Sequence, residues 1–253
     1  MQSNPNKDSK LVRLLSEYQL SKVDVNHEKF AERLGLLVDL SDSVALSESL
    51  RAIPSMSYNI NRKDSDSHES TLVKKLLEQR SDILKSILKS FDPSAVFVQF
   101  RLPTPKHDTP IHEALNFDQY QRFYLLHQSE MDFKIEKIRA NVRHKIASRS
   151  LKLAQLAVLD KTISRSMSLH TRKHFSTIPK ILKSRFTQLY ADYQSVNDRS
   201  DFVDNPSKWL EKSGWLSQFY AEMQQLLLAE FEVRLQPVIG LVEAYNEDIE
   251  KKS

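Results

Sequence analysis

Apolar residues recur at intervals of three and four along most of the chain, which is the spacing that places them on one face of a helix. Three short segments near the amino terminus carry this spacing, at residues 9–20, 27–39 and 41–53. Pro54 follows the third segment and cannot continue its helix. The pattern therefore predicts a small amino-terminal helical unit over residues 1–53.

The periodicity stops after residue 53 and then returns in one longer segment. Residues 54–68 are rich in Ser, Asn and Asp and predict a polar linker. Residues 69–90 carry an apolar stripe at helical spacing and predict a helix. Residues 91–115 contain four prolines together with AVFVQFRL, the one run in the chain with a strand-like pattern. This segment is predicted to be an irregular connection, with one extended stretch packed on a helix, and to mark a subdomain boundary.

The carboxyl-terminal half, residues 116–253, carries the longest periodic segments and predicts a bundle of long antiparallel helices. Asn116 and Gln119 have the spacing of a capping box at the start of a helix of about 30 residues. Ser148 and Ser150 predict the turn from that helix into the next one.

Prolines predict the ends of the remaining helices. Pro179 suits the first turn of a third helix, and Asn205–Pro206 resembles the cap and first residue of the last long helix. Pro237 is predicted to kink or end that helix, with a short helix following to about Glu250.

Composition supports an all-α fold and excludes several classes of enzyme. The 253 residues include three glycines, whereas average usage of about 7% would give roughly 18. Phosphate-binding loops and nucleophile elbows need several closely spaced glycines, so P-loop NTPases, Rossmann enzymes and α/β-hydrolases are excluded. Cysteine is absent, which excludes disulfides and thiolate metal sites. The predicted fold is all-α, with a small amino-terminal helical unit followed by the bundle of long helices.

Charge is concentrated in one part of the sequence. Residues 134–185 contain 14 basic side chains and two acidic ones, whereas residues 186–253 contain six basic and 12 acidic ones. A block this one-sided is typical of proteins that bind an acidic protein, an anionic lipid surface or nucleic acid. The simpler alternative is a solvated face that the acidic last helix partly neutralises.

A helical projection at about 100° per residue separates two groups of cations within this basic block. Arg139 and Arg143 lie on one flank of an apolar seam, so their helix is predicted to pack in the bundle. Lys161, Arg165 and Arg172 stack nearly opposite the seam of the next helix and form the better docking row. The predicted electrostatic docking residues are Arg139, Arg143, Lys161, Arg165, Arg172 and Lys173.

The last long helix carries large apolar residues around more than half of its circumference. Such a helix is either central in a bundle or covered by a partner. Trp215, Phe219, Tyr220 and Phe231 are therefore predicted to anchor a partner interface, with a place in the core as the alternative.

No group of residues predicts catalysis, a cofactor or a metal. His170 and His174 have the i, i+4 spacing that lets two imidazoles reach one metal ion, but no Glu lies between them and no third ligand is evident nearby. Carboxylates such as Glu243 are expected on a solvated face, and no Ser, His and acid occur together in a recognisable context. The sequence therefore predicts a protein that is not an enzyme and holds no cofactor.

Four stretches resemble a known bacterial family of all-helical proteins of about this length, which is catalogued only as a domain of unknown function. They are FAERLGLLVDLSDSVALSESL at residues 30–50, YLLHQSEM at 124–131, LAQLAVLD at 153–160 and WLSQFYAEMQQLLLAEFEVRLQPVIGLVEA at 215–244. Members of that family are often encoded beside membrane proteins that resemble ion-driven stator channels and cell-wall binders. The resemblance therefore implies a cytoplasmic accessory subunit, and it carries no catalytic residues.

Together these patterns predict a non-enzymatic helical interaction or scaffold protein with acidic or membrane-associated protein partners, and the resemblance implies an accessory subunit of a larger, membrane-associated, ion-driven complex. The polar amino terminus lacks the apolar core of a signal peptide, and no run approaches the roughly 20 apolar residues of a membrane span. The expected location is the cytoplasm, with a peripheral position at the inner membrane. Nucleic-acid binding through residues 134–185 is the alternative, although no zinc-finger spacing, aromatic sheet motif or helix-turn-helix accompanies it. Self-association stays open.

Overall fold

The computed structural model of the protein describes residues 10–17, 40–55, 69–106, 108–197 and 204–250. All regular structure in these ranges is helical, which confirms the predicted all-α fold. The helices are α1 (Lys10–Glu17), α2 (Leu40–Ala52), α3 (Glu69–Ser90), α4 (Ile111–Ala114), α5 (Asp118–Ala147), α6 (Leu151–Ser166), α7 (Ser168–Phe175), α8 (Ile178–Val196) and α9 (Trp215–Glu250). The helix predicted at 27–39 and residues 56–68 of the predicted linker lie outside the described residues.

The chain folds into two compact units, each built from segments that are far apart in the sequence. The described residues of unit 1 fall within Met1–Val23, Asp82–Met131 and Ser176–Val233, and those of unit 2 within Asp24–Ser81, Asp132–Phe175 and Arg234–Ser253. Helices α3, α5 and α9 each contribute residues to both units.

The core of unit 1 is aromatic. The Phe186 ring of α8 lies 5.1 Å, centroid to centroid, from the rings of both Phe219 and Trp215 on α9. Tyr120 of α5 approaches Phe186 at 5.3 Å. Aromatic pairs at such distances add stabilisation beyond the area that they bury. Five further apolar side chains of α9 in this unit are fully buried, namely Leu216, Met223, Leu226, Leu227 and Phe231.

The core of unit 2 is aliphatic and follows the predicted seam of α5. The buried α5 residues Ile135, Ile138, Val142 and Ile146 share this core with Leu153, Ala154 and Ala157 of α6 and with Leu235, Val238 and Leu241 of α9. Helix α2 packs on α6, where the Ser49 and Thr162 hydroxyl oxygens are 2.9 Å apart. The Gln155 side-chain amide also donates to the carbonyl of Ile53 at 3.0 Å.

The predicted long helix is confirmed, but its amino-terminal cap differs from the prediction. Helix α5 spans 30 residues, Asp118–Ala147. The Asn116 carboxamide oxygen accepts from the backbone N–H of Asp118 at 3.0 Å. The Gln119 side chain donates instead to the carbonyl of Glu113 at 3.2 Å, so the capping box is not formed. The next helix begins as predicted, because the Ser150 hydroxyl accepts from the N–H of Leu153.

The last long helix begins later and runs further than the sequence predicts. Pro206 opens a short 3-10 helix, Pro206–Leu210, and α9 itself starts at Trp215. The helix then continues through Pro237 without ending, up to Glu250. Proline lacks an N–H and crowds the preceding turn, yet the segment stays helical, with Leu235 and Val238 fully buried on either side of the exposed Pro237.

Candidate docking surface

Two arginines of the basic block are held inside unit 2 by one carboxylate. The Asp160 carboxylate on α6 accepts from Nε of Arg139 at 2.9 Å and from Nε of Arg143 at 2.6 Å, both on α5. Burial alone would raise the pKa of Asp160, but the hydrogen bonds and charges of the two arginines hold that pKa below its usual value. This cluster links α5 to α6. Asp160 is one of only two acidic residues in the basic block.

The second acid of the block is used in the same cluster. Glu136 accepts from Nη1 of Arg143 at 3.0 Å, and Nη1 of Arg139 donates to the Ser164 hydroxyl at 3.2 Å. The side chains of Arg139 and Arg143 are only 15% and 11% exposed. Both arginines are therefore engaged in the packing of unit 2 and do not belong to its exposed docking surface.

The other four predicted docking residues are exposed on two consecutive helices of unit 2. Lys161 and Arg165 are separated by four residues on α6 and therefore share a face, and Arg172 and Lys173 lie in the last turn of α7. Within the described part of the chain, no acidic side chain forms an ion pair with Lys161, Arg165 or Arg172.

Backbone hydrogen bonding continues from α6 into α7. Met167 separates the two helices, yet it keeps right-handed backbone angles, φ −87° and ψ −3°. Its N–H donates to the carbonyl of Ile163, and its own carbonyl accepts from the N–H of Thr171, both at 2.9 Å. The short helix α7 is thus a direct continuation of α6 rather than a loosely tethered segment.

The end of α7 is also fixed by a contact with α9. The guanidinium of Arg234 lies over the ring of Phe175, 3.9 Å from the ring centroid, which is a close cation–π contact. Arg234 is also paired with Asp132 of α5. Because Phe175 is the last residue of α7, this contact holds the neighbouring Arg172 and Lys173 on an ordered helix.

One strongly exposed apolar side chain lies on the same helical segment as these cations. Leu169 on α7 is 76% exposed, whereas Ile163, which is 40% exposed, is two residues from both Lys161 and Arg165 and therefore lies on another side of α6. Residues 151–175 contain five Lys or Arg and a single acid, Asp160, which is engaged by Arg139 and Arg143. The resulting surface is called the basic face, and it comprises Lys161, Arg165, Leu169, Arg172 and Lys173.

The four aromatic residues predicted as partner anchors lie in the chain's own interior. Trp215, Phe219 and Phe231 are buried in unit 1. Tyr220 is half-buried, and its hydroxyl donates to the carbonyl of Pro103. Burial and its contact with Tyr120 raise the pKa of Tyr220 far above the usual value. Because these side chains already pack within the unit, they take a core role here and are not part of the basic face.

The two histidines with metal-like spacing lie on α7. His170 is half-buried and His174 is exposed. In the part of the chain that the structure describes, no group of three or more His, Cys, Asp or Glu side chains is arranged to hold a metal ion.

Sequence reasoning missed a fully buried carboxylate in unit 1. Glu230 on α9 accepts from the Tyr124 hydroxyl at 2.8 Å and from the Gln128 side-chain amide at 3.0 Å, both on α5. The signal in the sequence is an acid inside the apolar run LLLAEFEV. A buried carboxyl group needs such hydrogen-bond donors, and these hydrogen bonds link α5 to α9 within unit 1.

None of the described helices is long and apolar enough to cross a membrane.

Comparison with known proteins gives one match. No curated protein and no solved structure is significantly similar to the chain. A family model described as a protein of unknown function (DUF3348) matches residues 1–247, and this confirms the predicted resemblance to a family of unknown function. Since the match covers nearly the whole sequence, the chain belongs to the DUF3348 family.

Proposed function

We propose that this protein is a non-enzymatic interaction protein, which binds an acidic partner protein through the basic face of unit 2. One observation carries the proposal. Asp160 and Glu136, the two acids of residues 134–185, form ion pairs with Arg139 and Arg143. In contrast, Lys161, Arg165 and Arg172 are exposed and form no ion pair within the described residues. The charge of the block is therefore available to a partner.

The exposed apolar residue of the basic face favours a protein partner over nucleic acid. Leu169 is 76% exposed on the same helical segment as the cations, and protein interfaces combine apolar anchors with complementary charge. A phosphate backbone offers cations a binding site but offers apolar side chains little. Charge then sets the rate and specificity of association, while the Leu169 side chain adds apolar contact area.

The proposed biological setting is a larger assembly. We place the protein in the cytoplasm, as an accessory subunit at the periphery of a membrane-associated complex. The one-sided charge of the basic face suits attachment to an acidic surface, and the absence of cysteine fits a reducing compartment.

The experiment compares partner capture by three forms of the full chain. The first is the wild type, the second is K161Q/R165Q/R172Q, and the third is the matched control K74Q/K75Q/K212Q, in which three exposed lysines outside the basic face are neutralised. Each form is purified from source cells at about 50 mM and about 500 mM salt, because screening weakens exposed charge pairs.

The proposal predicts a set of acidic proteins that the wild type and the control retain at low salt. The basic-face variant is expected to retain them about tenfold less, and high salt to release them. Equal retention by all three forms would contradict the proposal. Loss of the bound material on nuclease treatment would assign the basic face to nucleic acid instead.

A further inference from the structure

The segment after α3 is a compact loop whose two ends meet. Helix α3 ends at Ser90, and the backbone N–H of Leu102 donates to the Ser90 carbonyl at 3.3 Å. Residues 91–101 therefore leave the helix end and return to it, which is the geometry of an Ω-loop. Leu102 is buried, so the return point is fixed in unit 1. The segment is called the 91–101 loop.

Aromatic contacts fasten both arms of the 91–101 loop to α5. The Phe91 ring contacts Phe123, with centroids 5.2 Å apart, and also stacks on His127. On the returning arm, the Phe100 ring contacts His127 at 5.2 Å. Two of the three phenylalanines of the loop are thus used to hold it in place.

Hydrogen bonds inside the 91–101 loop fix the path of its backbone. The Asp92 carboxylate accepts from the backbone N–H of Ser94 at 2.8 Å and from its hydroxyl at 2.6 Å. Nη2 of Arg101 donates to the carbonyl of Ala95 at 2.9 Å and so links the returning arm to the start of the tip. The tip is presented by an ordered scaffold.

That ordered tip exposes two large apolar side chains. Phe97 is 94% exposed and Val96 is 75% exposed, although Phe91 and Phe100 in the same loop are packed. Apolar side chains held in water by an ordered backbone are typical of an interaction site. The exposure of Phe97 follows from the path of the loop and does not require the loop to unfold.

The surroundings of the tip in the sequence are basic. Residues 84–106 contain Lys85, Lys89, Arg101 and Lys106, all exposed, and the single acid Asp92. Lys89 adjoins Ser90, where the loop begins and ends, and Arg101 is bonded to the tip itself. An apolar protrusion flanked by Lys and Arg has the chemistry of a lipid interface, where apolar groups enter the acyl boundary and cations meet anionic headgroups.

We propose that Val96 and Phe97 form an interfacial anchor, which inserts into the surface of an anionic lipid bilayer while Lys89 and Arg101 contact the headgroups. This anchor belongs to unit 1 and is independent of the basic face of unit 2. An acidic protein pocket is the competing occupant. The lipid surface is favoured because the apolar tip protrudes as a loop with basic flanks, which needs no shaped pocket to receive it.

The test is sedimentation of the full chain with vesicles of phosphatidylcholine that contain about 30% phosphatidylglycerol, compared with pure phosphatidylcholine vesicles. The wild type is expected to sediment with the anionic vesicles and much less with the neutral ones. The Phe97→Ser variant is expected to bind the anionic vesicles roughly tenfold more weakly, because the buried apolar area is lost. The matched control is Phe133→Ser, which removes a phenylalanine that is 68% exposed on α5 and is expected to change binding less than about twofold.

A second variant reports insertion directly. In Phe97→Trp the new indole is expected to shift its emission to shorter wavelength on addition of anionic vesicles, while the native Trp209 and Trp215 are buried and supply a constant background. The proposal is overturned if the wild type does not sediment with anionic vesicles, or if Phe97→Ser binds them as the wild type does. It is also overturned if Phe97→Ser removes a co-purifying protein while vesicle binding is unchanged, since the tip then contacts a protein.

Discussion

Asp160 engages two cations of the basic block in the interior of unit 2, while other cations of the block stay at the surface. It lies on α6 and binds two arginines of α5, which are 21 and 17 residues away in the sequence. The helical projection already distinguished Arg139 and Arg143, beside one apolar seam, from Lys161 and Arg165, opposite another. It could not predict that Asp160 binds both Arg139 and Arg143, because that contact depends on how α5 packs on α6.

Replacing Asp160 by Ala is expected to lower the free energy of unfolding by about 3 kcal/mol at neutral pH, because two half-buried guanidinium groups then lose their shared carboxylate. Urea unfolding of the wild type and of Asp160→Ala measures the difference. A change below about 0.5 kcal/mol would show that the cluster does not stabilise unit 2.

The lowered pKa of Asp160 also predicts a pH dependence. The pKa in the folded protein lies below the usual value of 3.8, so the carboxylate contributes stability above that value and loses it as pH falls through the folded pKa. The stability advantage of the wild type over Asp160→Asn is therefore expected to be largest near neutral pH and to shrink below about pH 4. Unfolding free energies of both forms at about pH 7 and about pH 3 test this, and a constant difference would contradict it.

At the scale of the element, helices could be predicted from the sequence better than their ends. The periodic apolar seam predicted α5 and the turn at Ser150, because one-sided burial leaves a local pattern. The start of α9 was predicted at Asn205–Pro206, yet these residues open a short 3-10 helix. An α-helix and a 3-10 helix can begin with the same capping residues, so tertiary packing determines which of them forms.

The 91–101 loop gives a second example at this scale. The run AVFVQFRL predicted an extended segment packed on a helix, and its packed residues are Phe100 and Leu102. Phe97 lies in the same run but alternates with the packed residues, sharing the exposed side with Gln99 and Arg101. The alternation indicates that the run has two sides, and it does not report which side packs on the helix.

Substitution by alanine is expected to have opposite effects on stability at two glycines, one just before α9 and one within it. A Cβ on Gly214, just before α9, would clash with the backbone carbonyl oxygen of Trp209 and lie 2.8 Å from that of Lys208, whereas a Cβ on Gly240 would meet nothing within 4 Å. Gly214→Ala is expected to destabilise the protein by about 2 kcal/mol or more. Gly240→Ala is expected to stabilise it by about 0.5–1 kcal/mol, because alanine is the better helix former.

Thermal or urea unfolding of both alanine variants checks this pair, each serving as the control for the other. Equal effects of the two substitutions would show that the close approach at Gly214 does not constrain the start of α9.

At the scale of the whole molecule, the net charge of +4 conceals an uneven distribution of charge along the chain. The fold leaves the cations of α6 and α7 exposed, while the acids of the basic block bind Arg139 and Arg143 in the same unit. The concentration of basic residues in one segment could be predicted from the sequence, because it follows from composition. Which of these residues form ion pairs could not be predicted, because ion pairing between α5 and α6 depends on packing.

The location of the aromatic residues of α9 also depends on the whole fold. A helix that is apolar around more than half of its circumference is compatible with a core or with a partner surface. The structure places Trp215, Phe219 and Phe231 in the core of unit 1. The choice depends on how many neighbouring helices surround α9, and a sequence pattern within α9 carries no such information.

The most direct test of the proposed docking surface measures partner capture and unfolding free energy on the same two variants. K161Q/R165Q/R172Q is predicted to lose the captured acidic proteins while its free energy of unfolding stays within about 0.5 kcal/mol of the wild type, because these cations are exposed and unpaired within the described residues. R139Q/R143Q is predicted to unfold more easily. Full partner capture by a folded K161Q/R165Q/R172Q protein would contradict the proposed docking surface.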